Sequence, residues 1–244
     1  MKVEEKPAIS VVIPAYNEEK YLPQCFKALN NQRFSLPYEI IVVDNNSSDL
    51  TAKIARKMKA RVVFEKKKGV GPARQRGTVI AGAPIIAQLD ADTMPDASWL
   101  SEIYKMFSTD KDKQIIGVSG PMPFFDATWP TKFLVNQIYD KLVFQVLPLF
   151  CGNAFFRGGN FAFRKSVWKD VGGYSLEAAW HEDLELAKRL KNKGEIIFNP
   201  RQIVFCSARR LKRVGILKTF FSILKNLFKI HLLKQKKIPI EDCR

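Results

Sequence analysis

A mostly parallel α/β fold, with helices on both faces of one sheet, is what this 244-residue sequence predicts. Three observations carry that prediction: short β-branched runs with no polar face, helical-period segments between them, and a distinctive residue where each run stops. The run 9–13 stops at Pro14, the run 39–43 at Asp44 and the run 84–89 at Asp90. Strands that are apolar on every side are buried on both faces, which requires a helix layer above and below. In such sheets ligands bind beyond the carboxyl ends of the strands, so these stopping points are where chemistry is expected.

Taken in order, residues 18–30 place Tyr21, Leu22, Cys25, Phe26 and Leu29 at helical spacing. Residues 51–58 read as a short helix, 61–64 as a third strand and 71–81 as a further helix. After the fourth strand, Asp96 can cap a helix whose apolar face is Trp99, Leu100, Ile103, Tyr104 and Phe107. The second half is less regular. A strand at 115–119 precedes a long apolar stretch, 133–150, interrupted by Asp140, Lys141 and Pro148. Then come a strand at 160–164, a helix at 166–171 stopped by Gly172 and Gly173, and a helix at 182–191 closed by Gly194. Strands at 195–198 and 202–206 follow. No internal repeat or low-complexity linker divides the chain, so a single domain is expected.

The apolar share of 46% is that of a globular protein, but the net charge of +16 is unusual. Such a field attracts polyanions: nucleic acid, an anionic membrane surface or phosphorylated substrates. Lys and Arg crowd into 53–68 and 209–237. Residues 215–233 are rich in Phe, Leu and Ile, yet Lys218, Ser222, Lys225 and Lys229 recur along one helical stripe. That is too charged for an easy membrane span. It suits an amphipathic helix in the headgroup region, or alternatively a terminal helix packed on the core. The basic flanks favour the membrane, since each basic residue near an anionic surface contributes about 1 kcal/mol. No nucleic-acid-binding motif is present and acidic pairs repel phosphates, so no specific nucleic acid is expected as a partner. The charged N-terminus has no apolar h-region, so no secretory signal is expected. Cys25, Cys151, Cys206 and Cys243 lack paired metal spacing and read as free thiols in a reducing compartment.

Two acidic pairs are the candidates for chemistry. Asp90-Ala91-Asp92, where a buried strand runs out, can aim oxygen ligands at a hard cation such as Mg²⁺ or Mn²⁺. Alone the pattern also fits two solvated turn residues. Glu182-Asp183 opens a helix. The pair either complements the helix dipole or supplies a general base, Asp183, beside a pocket shaped by Glu182. His181 precedes it as a possible polar contact. The segment from Gly69 to Gly77 resembles a dinucleotide fingerprint but fails its spacing, because Arg74 stands at the third glycine position. A basic helix start still suits a phosphate or a base edge, so Arg74 is a candidate nucleotide contact.

The motifs occur together in a known order. Val11-Val-Ile-Pro-Ala-Tyr-Asn-Glu-Glu19, Ile41-Val-Val-Asp-Asn-Asn-Ser-Ser-Asp49, the Gly-x-Gly-x-Ala-Arg segment, Leu89-Asp-Ala-Asp92, Gly158-Gly-Asn-Phe-Ala-Phe-Arg164 and Glu182-Asp183 resemble family-2 glycosyltransferases over about residues 8–208. The resemblance implies a GT-A fold, Rossmann-like, and inverting transfer from a nucleotide-sugar. It divides the chain into a GT-A domain at 1–208, with a nucleotide-binding half at 1–110 and an acceptor-binding half at 111–208. Residues 209–244 are then a basic, membrane-associating tail.

It also assigns roles. Pro14, Ala15, Tyr16 and Glu18 would line the nucleoside, with Glu18 near the ribose. Asp44 would accept from the base, and Asp90 with Ala91 would sit near ribose and base. Asp92 would ligate Mn²⁺ or Mg²⁺ on the diphosphate. Gly159 and Asn160 would border the donor sugar, and Asp183 would be the base. The sequence departs from the family at Asp44-Asn45-Asn46-Ser47, where a glycine is usual third; Asn tolerates the same left-handed backbone. The Gln-x-x-Arg-Trp motif of processive synthases is absent, and Arg209-Arg210 stands in the comparable region as a possible diphosphate contact. The expected enzyme uses a UDP- or GDP-sugar and a hydroxyl of a lipid-linked or cell-envelope glycan, peripherally on the cytoplasmic face of the membrane. A polyprenyl-phosphate acceptor, as in dolichyl-phosphate mannose synthase, is the alternative.

Overall fold

The computed structural model describes residues 6–129, 131, 156–175 and 182–209. The apolar stretch at 133–150, His181 and the tail from 210 onward lie outside them. The elements are β1 (Ile9–Ala15), α1 (Leu22–Asn30), β2 (Tyr38–Asp44), α2 (Thr51–Lys57), β3 (Arg61–Phe64), α3 (Val70–Ile80) and β4 (Ile85–Leu89). Then follow β5 (Thr93–Pro95), α4 (Trp99–Ser108), β6 (Ile115–Ser119), β7 (Asn160–Arg164), α5 (Lys165–Asp170), α6 (Glu182–Leu190), β8 (Glu195–Phe198) and β9 (Val204–Cys206). The main sheet has the order β3-β2-β1-β4-β7-β6-β8. Only β7 runs against its neighbours in it; the other pairings are parallel.

Period-two side-chain alternation splits the core into two layers. Ile9, Val11 and Ile13 of β1 join Leu22, Cys25, Phe26 and Leu29 of α1 and Trp99, Leu100 and Ile103 of α4 on one face. On the other, Val12 packs with Ala73 of α3, Phe161 and Phe163 of β7, and Leu186, Ala187 and Leu190 of α6. This is the two-faced α/β architecture the apolar runs predict.

Local boundaries differ from expectation for physical reasons. Strand β1 does not stop at Pro14 but continues to Ala15, pairing Pro14 with Val43 and Ala15 with Asp44. Its pairing with β4 ends earlier, at Val12 opposite Gln88, so on that side the proline interrupts no ladder. Helix α1 begins at Leu22, not Glu18, because a turn from Glu18 to Tyr21 precedes it and Pro23 sits in its first turn, where no N–H partner is needed. Strand β5 was not expected. Three residues carry no period, and they are extended only because β9 pairs with them antiparallel, Thr93 opposite Cys206.

Helix α3 approaches the sheet closely at Gly77. A Cβ there would lie 2.4 Å from Val12 Cγ1 and 2.9 Å from Val43 Cγ2. This contact seats the helix that carries Arg74 one turn earlier. Gly77→Ala should therefore lower stability by about 1–2 kcal/mol, overpacking outweighing the better helix propensity. Urea unfolding reads the shift; a midpoint unchanged or raised would mean that α3 is not seated this closely.

Candidate active site

The carboxyl ends of β1, β2 and β4, with the start of α6, carry Glu18, Asp44, Asp90, Asp92, Glu182 and Asp183 at the carboxyl edge of the sheet. The loop after β1 is laced to the loop after β2. Ser48 N donates to Asn17 Oδ1 at 2.8 Å and Glu18 N to Thr51 Oγ1 at 2.8 Å. Asn17 and Asn46 both take left-handed backbone, φ 54° and 66°. Asn46 thus fills the glycine-like position, as the sequence reading expects.

Asn45, which sequence reasoning passed over, is the clamp beside Asp44. Its Nδ2 donates to the carbonyls of Glu65 and Lys67 at 3.0 and 2.7 Å, and its Oδ1 accepts from Gly69 N at 2.8 Å. The segment 65–69 is thereby held against the end of β2. It brings the Lys68 ammonium over the Tyr16 ring, 5.2 Å from its centroid. Asp44 itself is buried, and its Oδ1 accepts from Ser47 N at 3.1 Å.

Asp90 and Asp92 diverge. The Asp90 carbonyl accepts from Thr93 Oγ1 at 2.6 Å, turning the chain immediately after β4. Its carboxylate pairs with Arg74, Nη2 to Oδ1 at 2.9 Å. Gly159, at φ 83°, lies so close that a Cβ would stand 2.5 Å from Asp90 Oδ2. Asp92 pairs with Arg209, Nη2 to Oδ2 at 2.9 Å. Burial, with the carboxylates of Asp90 and Glu18 nearby, raises the Asp92 pKa to about 6, and Arg209 only partly opposes this. Burial raises Glu18 as well.

Arg209, which the sequence reading sets at the start of the tail and offers as a diphosphate contact, has partners that only the structure supplies. Its guanidinium grips Glu18 through both terminal nitrogens, at 2.6 and 3.2 Å, reaches Asp92, and lies over Tyr21, 4.2 Å from the ring centroid. An arginine just beyond a strand was the available signal.

Two expected contacts are taken up inside the protein. Arg74 is not presented to a ligand: only 2% exposed, it spends its terminal nitrogens on Asp90 and on Glu182, Nη1 to Oε1 at 2.8 Å. Asn160, expected to border the donor sugar, turns its side chain inward. Its Oδ1 accepts from Trp99 Nε1 and Gln202 Nε2, both at 2.9 Å. Its Nδ2 donates to the carbonyls of Pro121 and Gln202 at 2.9 and 2.7 Å. All its hydrogen-bonding capacity is used inside the protein, and Gly159 is the neighbour that borders Asp90. Pro14 and Ala15 end β1, Tyr16 follows it, and Ala91 lies two residues beyond β4.

Glu182 and Asp183 open α6. Burial raises both carboxyls above their ordinary range, with Arg74 opposing the shift. A Cβ on Gly158 would lie 3.0 Å from Asp183 Oδ2, so the glycines before β7 let the backbone pass between Asp90 and Asp183. Among the described residues, no three His, Cys, Asp or Glu are arranged to hold a metal by themselves. A cleft of about 710 Å³ at the amino ends of β2 and β3, lined by Glu39, Lys57 and Arg61, is remote from these acids.

The mostly parallel sheet thus presents divergent acids at its carboxyl edge and a second acid pair opposite, on a fold that recurs in known proteins. The model for glycosyl transferase family 2 matches residues 10–172, and the chain belongs to that family. Glycosyltransferase AglE of Haloferax volcanii is 26% identical over 232 residues, 92% of this chain and 72% of that protein. The probable glycosyltransferase YdaM of Bacillus subtilis is 30% identical over 221 residues, 83% of this chain but 51% of its own length. Among solved structures, the mannosyltransferase PcManGT of Pyrobaculum calidifontis, in complex with GDP-Man and Mn²⁺, aligns with TM-score 0.66 at 21% identity, covering 94% of this chain and 69% of that one. TarS of S. aureus, in complex with UDP, aligns with TM-score 0.64 at 16% identity, covering 96% and 76%.

The raised Asp92 has a consequence for stability. A native pKa above the ordinary value means the folded state holds that proton more tightly than the unfolded chain. The associated stability is present below the ordinary value of 3.8 and lost as pH rises through about 6. In metal-free buffer at pH 7.5, Asp92→Asn should therefore stabilise the protein, by on the order of 2 kcal/mol. Below pH 4 the gain should vanish. Melting curves across that range check it, and destabilisation at pH 7.5 would refute it.

Proposed function

We propose that this chain is an inverting, metal-dependent glycosyltransferase that moves a sugar from a UDP- or GDP-sugar to a hydroxyl of a lipid-linked or cell-envelope glycan. The observation that carries the reading is the half-buried Glu182-Asp183 pair, whose Glu182 is joined to the donor-side Asp90 through Arg74. A phosphate acceptor is already a nucleophile, whereas a hydroxyl needs a base. Asp183, held above the ordinary carboxylate range by burial, is a stronger base than a solvated one while it stays ionised.

In this reading the loop from Pro14 to Glu18 lines the nucleoside, Asp44 accepts from the base, and Asp90 faces the ribose. The acceptor oxygen gives its proton to Asp183 as it attacks the anomeric carbon from the face opposite the diphosphate, which inverts that centre. Asp92 would hold Mn²⁺ or Mg²⁺, which supplies positive charge to the leaving diphosphate when bound. The donor set suits such an ion: Asp92 is a hard oxygen ligand in an excess of negative charge, and Mg²⁺ commonly binds through one or two carboxylates plus substrate phosphates. The complexes of PcManGT with GDP-Man and Mn²⁺ and of TarS with UDP-GlcNAc support a nucleotide-sugar donor and a divalent ion.

A thermal-shift screen of UDP- and GDP-sugars with and without Mn²⁺ identifies the donor, since a bound ligand raises apparent stability. With that donor, Asp183→Asn should lower kcat on a hydroxyl acceptor by about 10²–10⁴-fold. The wild-type acid limb should lie above the ordinary carboxylate range, activity falling as Asp183 takes up its proton. Full activity of the variant on a hydroxyl acceptor would exclude the base. An acid-labile sugar phosphate as product would instead favour polyprenyl-phosphate transfer.

Placement at the cytoplasmic face of the membrane rests on the basic, apolar composition of the segment 215–244. Deleting it should release the protein from phosphatidylglycerol vesicles and leave nucleotide binding intact. Unchanged sedimentation with the vesicles would refute the anchor.

A further inference from the structure

Arg74 is the most deeply buried charge associated with the site and makes no use of itself at the surface. Its guanidinium lies over the Phe161 ring, 5.1 Å from the centroid. It bonds two carboxylates that come from opposite sides: Asp90, at the end of β4, and Glu182, at the start of α6, 108 residues away in sequence. The next residue repeats the pattern, Gln75 Oε1 accepting from Tyr174 N at 2.9 Å. Helix α3, seated on the sheet by Gly77, is thus the common support for both sides of the cleft.

We propose that Arg74 is a positioning residue: its planar fork fixes Asp90 and Glu182 relative to each other, and so sets the Glu182-Asp183 turn against the donor, without itself touching nucleotide or sugar. The role of Asp183 in this statement rests on the proposed function above. A guanidinium presents rigid donors in one plane, and a lysine presents a single point charge, so only the former can hold two carboxylates at a defined mutual angle. The groups facing Arg74 are Asp90 from the end of β4, Glu182 and Asp183 from α6, and the Tyr174 phenol beyond α5. Three acids against one cation leave an excess of negative charge. Arg74 lowers both acids of α6 against the rise that burial causes, which keeps Asp183 able to accept a proton.

The test compares Arg74→Lys, Arg74→Met, Glu182→Gln and the double variant Arg74→Met with Glu182→Gln in the full chain. Binding of UDP and GDP with Mn²⁺ is measured by calorimetry. Turnover is followed with whichever of UDP-glucose, UDP-N-acetylglucosamine and GDP-mannose gives the largest thermal shift. Both arginine variants should lose about 100-fold in kcat while the nucleotide Kd moves less than about threefold. The double variant should lose no more than Glu182→Gln alone, because both act through one linkage. Should the methionine variant not fold, the lysine variant decides, since it keeps the charge and removes only the fork. A lysine variant with full kcat would overturn the proposal, reducing Arg74 to charge neutralisation. So would a tenfold weaker Kd at unchanged kcat, which would make Arg74 a nucleotide contact. Asp183→Asn separates the two readings. If it stays active while Arg74→Lys fails, the base assignment falls and the positioning role stands. If it fails while Arg74→Lys stays active, the positioning role falls and the base stands.

Discussion

Crowding of like charge is the constraint on which this structure turns. A parallel sheet sends its strand ends to one edge, and this sequence puts carboxylates there and at the start of the facing helix. Carboxylates partly withdrawn from water beside one another are costly unless paired. Two arginines keep the arrangement folded. Arg74 joins Asp90 to Glu182, and Arg209 joins Glu18 to Asp92. Each bridges elements far apart in sequence, so the same contacts that offset desolvation also assemble the cleft.

The two arginines are placed differently. Arg74 is sealed against Phe161 and belongs to the scaffold, whereas Arg209 is about a third exposed and rests on the open face of Tyr21. Between them the negative charge is incompletely balanced, and Asp92 carries the clearest sign of it. In the proposed reading, a bound divalent ion would balance that carboxylate. The neutral polar networks behave otherwise. Asn160, tied to Trp99, Pro121 and Gln202, is fully satisfied and holds β7, α4 and the turn before β9 in register, so that Gly159 can approach Asp90.

Legibility followed the range of the interactions. Apolar periodicity located α4 and the core strands because burial of alternate or three-to-four-spaced residues is a local property. Asn46 was legible for the same reason: its left-handed backbone is a property of one residue. Strand β5 was not, since Thr93–Pro95 is extended only because β9 lies beside it. Arg74 was misread as a ligand contact because a basic residue opening a helix after a strand looks locally like a phosphate site. That the Asn160 amide is spent inside the frame was not legible, because its partners lie 39 to 61 residues away. Asn45 was missed, its partners lying 20 to 24 residues downstream.

By itself, then, the sequence determined the class of fold, the family and the edge at which the acids collect. Those follow from hydrophobic pattern and from the order of short motifs. Tertiary structure decided which acid faces which cation and which polar residues are spent on holding the frame. An ion pair such as Arg74 with Glu182 spans 108 residues, and no local pattern encodes it. Its geometry exists only once α3 and α6 are packed on the same face of the sheet.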